Sequence, residues 1–194
     1  MEREAVVVGV SGASGAPLAV RTLEVLRSLG AYDTHLVATE GARLTAEYEL
    51  EQGFSALESL ADHVHSPHDI GACVASGTFE TRGMVVVPCS MKTVAGIASG
   101  YSDNLLLRAA DVCVKEKRPL VLAAREAPLS PIHLRNMEYL ATLPNVTVCP
   151  PVLTYYIQPA TLEAMELHLV AKMLSPLGIR VPGFQRWEGK PPRA

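Results

Sequence analysis

Short unbroken apolar blocks alternate with longer stretches of helical period along this chain. The blocks are residues 4–10 (EAVVVGV), 34–39 (THLVAT), 84–87 (MVVV), 119–124 (PLVLAA) and 146–150 (VTVCP). Near-continuous apolar runs of this length are what parallel strands covered on both faces require. The stretches between them carry the other period. Residues 16–29 place Ala19, Leu23 and Leu26, with Val25 and Leu29 beside them, on one stripe that stops at Gly30, as an amphipathic helix packed on a sheet would. Helices are likewise predicted over 40–50, 56–61, 105–117 (with Ser102 or Asp103 as its cap), 131–143 and 160–174. Strands alternating with helices of ten or more residues imply an α/β fold: a doubly wound, Rossmann-like or flavodoxin-like parallel sheet in three α/β/α layers.

Two regions resist either period. Beyond its short helix, the segment 54–82 reads as an irregular excursion with pieces of strand, and residues 180–194 read as an irregular arm in which the lone Trp187 needs a packing partner. The remainder, 1–179, is expected to be one compact domain, since 194 residues at 48% hydrophobic content suffice for one sizeable core. A net charge of -3 without any Lys/Arg run argues against nucleic-acid binding. No apolar stretch approaches about 20 residues, so no membrane span is expected, and the charged start without a long apolar segment makes the cytoplasm the default location. Cys73, Cys89, Cys113 and Cys149 are scattered and read as reduced, mostly buried thiols.

Candidate chemistry gathers at two strand ends. After the first strand the loop GVSGASG spaces Gly9, Gly12 and Gly15 by three, with Ser11 and Ser14 between them. This departs from the dinucleotide spacing, but two hydroxyls beside a helix amino terminus suit the phosphate of a mononucleotide. The stretch 84–104 (MVVVPCSMKTVAGIASGYSDN) runs from a buried strand that stops at Pro88 into small and hydroxylated residues, and reads as a second loop of hydroxyl and N–H donors around Ser90–Thr93. Each loop also has a plainer reading as a mere helix start. Arg125 and Glu126 end a core strand, where charged side chains are more often functional. Glu49 with Arg43 and Glu47 reads first as a solvated helix face, and Lys115 as the polar end of a helix. His63, His65 and His68 have only Asp62 and Asp69 at ligand-like spacing, so no metal site is expected.

The strings GVSGASGAPLAVRTLEVL, VPCSMKTVAGIASGYSDNLLLRAADV, VKEKRPLVLAAREAPLSPIHLRNM and PPVLTYYIQP resemble the flavin prenyltransferases of the UbiX type, including the small subunits of phenolic acid decarboxylase systems. The resemblance is collinear from about Val6 to Ile179. It implies transfer of a dimethylallyl group from dimethylallyl monophosphate to N5 and C6 of reduced FMN. It further implies no metal, a dodecamer with the site between subunits, and a UbiD-type decarboxylase as recipient of the prenylated FMN. Position by position, Gly12, Ala13, Ser14, Thr39, Ser90, Met91, Lys92, Thr93 and Arg125 resemble the family's FMN contacts. Glu49, Lys115 and Glu126 fall at its acid/base and phosphate-contact positions. Tyr156 and Lys172 fall where the dimethylallyl phosphate is gripped, and Arg108 takes an interface or phosphate role from its RAAD context.

Two departures stand out. Lys172 replaces what is often arginine, trading a two-pronged donor for a point charge, and Ile157 stands where many members carry Asn or His. Neither removes a charged catalytic group. Two rivals remain: an FMN-binding carrier without transferase activity, for which a second phosphate site would be superfluous, and an FMN-dependent cysteine decarboxylase, whose loop resembles PASANT where this chain has PCSMKT.

Overall fold

In the computed structural model, which describes residues 3–187 and 189, the apolar blocks form a six-stranded, wholly parallel sheet. The strands are β1 (Glu4–Val10), β2 (Tyr32–Ala38), β3 (His63–His65), β4 (Met84–Cys89), β5 (Leu120–Ala124) and β6 (Val146–Val148). Their order across the sheet is β3-β2-β1-β4-β5-β6. Every strand residue of β4 and β5 is buried, which explains why those blocks are unbroken: both faces are covered. On one face Val6, Val8, Val10, Val85, Val87, Val121 and Ala123 pack with α1 (Ala16–Leu29), α2 (Glu40–Glu49), α3 (Ser55–Glu58) and α7 (Leu162–Leu174). On the other, Val7, Val86, Leu120 and Leu122 pack with α4 (Met91–Ser99), α5 (Leu105–Lys115) and α6 (Pro131–Thr142). The expected three-layer, doubly wound architecture is therefore the one observed. No helix among the described residues is long and apolar enough to cross a membrane.

The structure corrects several boundaries. Residues 91–99 are not a loop but a helix, capped by the Ser90 hydroxyl, which accepts from the Thr93 N–H, and stopped by left-handed Gly100. Their small side chains mark helix-to-helix approach: a Cβ at Gly96 would sit 2.9 Å from Leu107 Cδ2 of α5. The cap of α5 is Asn104, whose Oδ1 accepts from the Leu107 N–H at 3.0 Å, rather than Ser102 or Asp103. β4 does not end at Pro88 but continues to Cys89 with a shift of register against β5. Within the excursion, α3 spans only Ser55–Glu58, and β3 and a 3-10 turn at Cys73–Ala75 are its other regular pieces.

Past α7 the chain makes one 3-10 turn at Ser175–Leu177 and buries Ile179. The described part of the expected arm has no further helix or strand, and Trp187 finds its partner in the ring of Tyr156 at 5.3 Å and 68°. Residues 188 and 190–194 lie outside the described residues.

Because α4 and α5 meet at Gly96, Gly96→Val should lower stability by about 1–3 kcal/mol, measured by urea unfolding. A loop at 91–99 would tolerate the change with little effect.

Candidate functional site

The strand order reverses direction between β1 and β4, and the loops leaving the carboxyl ends of those two strands meet there. A parallel sheet opens a crevice at such a switch point. Ser11, 1% exposed, closes its floor. Its hydroxyl donates to the Pro88 carbonyl at 3.1 Å and accepts from the Ser90 N–H at 2.7 Å, while its own N–H donates to the same carbonyl. The glycine loop and the start of α4 are thereby locked together.

Above this floor lies a cleft of about 370 Å³ lined by Gly12, Thr39, Glu40, Gly41, Pro67, His68, Ser90, Lys92, Thr93, Asp103, Asn104 and Leu107. Thr39 caps α2, accepting from the Ala42 N–H at 3.2 Å, and Ser90 caps α4. Two helix amino termini, three hydroxyls and the Lys92 ammonium thus border one cavity, a donor set that suits an anionic group and the polar edges of a ring. Gly12 and Gly41 let the loop and α2 touch backbone to backbone. A Cβ at Gly12 would fall 2.9 Å from the Gly41 Cα. A larger hollow of about 920 Å³ lies elsewhere, among Glu4, Arg82, Pro119 and their neighbours at the amino ends of the strands, away from these donors.

Of the expected flavin contacts, Gly12, Thr39, Ser90, Lys92 and Thr93 line the cleft together. Ala13 and Met91 are buried, so their contribution at the surface is through backbone. Ser14 and Arg125 stand instead beside Glu49. The Glu49 carboxylate accepts from the N–H groups of Gly15 and Ala16, each at 2.8 Å, and so sits on the amino terminus of α1. Burial opposes its charge, but the Ser14 hydroxyl, these two N–H groups and the Arg125 guanidinium prevail and hold the carboxyl below its ordinary range. Helix α2, read first as a solvated face, thus delivers Glu49 to the edge of the site. Arg125 is fixed by its N–H, which donates to the Cys89 carbonyl at 3.0 Å, and the Glu126 carboxylate accepts from the Ala127 N–H at 3.0 Å.

The remaining expected residues are not brought to the cleft of their own subunit. Tyr156 lies edge-on to His168, ring centroids 6.1 Å apart, and Lys172 follows His168 by one turn of α7. Arg108 donates to the Ala75 carbonyl and pairs with Asp111 at 2.6 Å. Lys115 pairs with Glu116 at the far end of α5. Since α5 starts beside the cleft at Asn104, a helix of 11 residues carries Lys115 roughly 16 Å from it.

Sequence reasoning missed Asn104, His68 and Pro67 as lining residues. They arrive through the Leu105 N–H, which donates to the Pro67 carbonyl at 2.8 Å and folds the excursion over the cleft. No local motif signals that contact. The cysteines offer no nucleophile here, as burial pushes the Cys89 thiol far up.

A family model described as Flavoprotein matches residues 1–173. The chain is 47% identical over 183 residues to a probable UbiX-like flavin prenyltransferase of Sedimentibacter hydroxybenzoicus, covering 94% of this chain and 96% of that protein. Its fold superposes with a TM-score of 0.94 on the crystal structure of AnUbiX (PadA1) in complex with FMN and dimethylallyl pyrophosphate, at 44% identity over 98% of this chain and 100% of that one. A dodecameric FMN-dependent UbiX-like decarboxylase from Escherichia coli O157:H7 gives a TM-score of 0.92 at 45% identity, over 95% of this chain and 100% of that one. Two FMN-dependent cysteine decarboxylases, SpaF and TvaF, are 23% and 17% identical and share the fold alone.

Two variants test this geometry. Gly12→Ala must displace the α2 backbone, so it should lower stability by about 1–3 kcal/mol and weaken FMN binding, read by unfolding and by flavin fluorescence titration. Glu49→Gln should remove about 1 kcal/mol after solvent screening. A depressed folded pKa stabilises above the ordinary value of 4.5 and the effect is lost as pH falls below it, so the variant and parent stabilities should converge under acid in pH-resolved urea titrations.

Proposed function

The chain belongs to the flavoprotein family, among its UbiX-type flavin prenyltransferases, and from that premise we propose how its own residues carry the reaction. The donor is dimethylallyl monophosphate and the acceptor reduced FMN, whose electron-rich N5 and C6 form the two new bonds. N5 bonds to C1 as the C1–O bond breaks, the phosphate leaves and the N5 proton is released. The C2=C3 double bond of the donor then takes up one proton at C2 while C3 bonds to C6, and the C6 proton is released. The observation that carries the reading is the cleft at the switch point, where Gly12, Thr39, Ser90, Lys92 and Thr93 converge beside two helix amino termini. Those donors would hold the flavin phosphate and ring edge, with Arg125 and the backbone of Ala13, Ser14 and Met91 completing the cradle.

Glu49 remains ionised at neutral pH because α1 and Arg125 favour its charge, so it is ready to accept a proton or to steady a developing cation beside the ring. Glu126 places a further carboxylate just beyond the carboxyl end of β5. Lys115, Tyr156, Lys172 and Arg108 would grip the donor phosphate, replacing by fixed cations and hydroxyls the charge stabilisation that a divalent ion supplies elsewhere. This requires no metal in the reaction. Because α5 carries Lys115 away from the cleft of its own subunit, the donor site would be completed by a neighbouring subunit, as a dodecamer allows. The product would pass to a UbiD-type decarboxylase. Four free cysteines, two of them buried, support a reducing compartment such as the cytoplasm. A carrier role is disfavoured by the retained second phosphate set, and a cysteine decarboxylase by the PCSMKT loop.

Purified protein incubated anaerobically with reduced FMN and dimethylallyl monophosphate should yield flavin heavier by one five-carbon unit in mass spectrometry, with turnover unchanged by a chelator. Unaltered flavin would reject the proposal. Lys115→Ala and Glu49→Gln should each be inactive alone, and mixing them by dissociation and reassembly should restore part of the activity. Failure to complement would place both groups in one subunit's site.

A further inference from the structure

A group of imidazoles lies apart from the flavin cleft. Strand β2 places Asp33 and His35 on one face, as residues two apart must be, and β3 places His63 and His65 on the same face of the sheet's edge. Parallel register sets His63 directly beside His35. His35 is 3% exposed, and its Nε2 has no hydrogen-bond partner among the described residues. An orphaned buried ring nitrogen is rare enough to demand a reason.

That nitrogen faces Asp33, 3.7 Å from Oδ2, and the His63 Nε2 approaches the same oxygen at 3.1 Å. Donors around a tetrahedral zinc ion lie roughly 3.3–3.4 Å apart when each bond is near 2.0–2.1 Å, so these separations bracket the required value. The supporting contacts also match a metal site. The other nitrogen of His35, Nδ1, is 2.9 Å from His65 Nε2, the outer hydrogen bond that fixes tautomer and ring orientation in a ligating histidine. Asp33 Oδ1 in turn lies 3.8 Å from Arg3.

We propose that Asp33, His35 and His63 bind a divalent transition metal of the zinc class, with His65 as the hydrogen-bonding support and a solvent position completing the coordination. The His35 and His63 rings are now stacked, 4.5 Å apart and inclined by 22°. Coordination therefore turns the His63 ring, which is half-exposed. The site is separate from the chemistry: His35 stands four residues before Thr39 of the cleft on β2, about 13 Å away. Its role is to pin the three-residue edge strand β3 to β2. Spacing alone could not show it, because two of the three ligands come from another strand.

The test is titration of metal-stripped protein with Zn²⁺ against a chromophoric chelator, with unfolding midpoints recorded in parallel. The parent should bind one Zn²⁺ per chain and unfold later when it is bound. His63→Ala should lose both effects while keeping FMN binding, and His65→Gln should bind on the order of 10–100-fold more weakly. Cys73→Ser should bind as the parent does, although the Cys73 Sγ lies 3.9 Å from His35 Nδ1. Equal binding by parent and His63→Ala, or binding abolished by Cys73→Ser and retained by His63→Ala, would overturn the assignment.

Discussion

One buried hydroxyl shapes the cleft at the switch point of the sheet. Ser11 joins the loop after β1 to the turn after β4 at the place where the sheet reverses its winding, satisfying a carbonyl and an N–H that would otherwise be stranded. Each such bond contributes only about 1 kcal/mol net, but leaving either buried partner unmet costs more. The link fixes the two loops relative to each other, and the cleft lies beside them. Its floor is therefore part of the fold's own hydrogen bonding, and its walls are free to serve a ligand.

Four helices, α1, α2, α4 and α5, present their amino termini near this crevice, and they are not equivalent. The terminus of α1 is occupied within the chain by Glu49, while those of α2 and α4 are capped by short side chains that still leave backbone donors facing the cleft. The helix ends are thus divided: that of α1 holds the Glu49 carboxylate in its charged form, and on the proposed reading those of α2 and α4 would be left for the flavin. The cationic groups expected to take the second phosphate lie on α5 and α7, and the length of α5 prevents Lys115 from reaching its own cleft. On the proposed reading, neighbouring subunits would bring those cations to the cleft.

The strands were legible because a doubly covered parallel strand is close to continuously apolar, as β4 and β5 are, whereas β2 is apolar only over Leu36–Ala38 and buries Thr34 and His35. Helix α4 was hidden because Gly96 and its small neighbours look like a loop that admits a ligand, whereas they admit Leu107. The flavin loops could be read from Ser11, Gly12 and Ser90, whose chemistry is local. Glu49 looked like surface decoration, and only the packing of α2 beside α1 gives it a role. Its assignment as a reacting group came from family resemblance. Asn104 and His68 carry no local signal, since a single backbone bond from Leu105 to Pro67 brings them in. The His35 cluster escaped for the same reason: strand pairing, not spacing, assembles it.

The central claim is that the switch-point cleft holds the flavin of one subunit while another subunit supplies the cations for the second phosphate. A crystal structure of the assembled protein soaked with FMN and dimethylallyl monophosphate tests it most directly. The account predicts the flavin against Gly12, Thr39 and Ser90–Thr93 of one chain, with Lys115 of a different chain in hydrogen-bond contact with the donor phosphate. A flavin seated elsewhere, or a donor phosphate held wholly by the flavin's own chain, would contradict it.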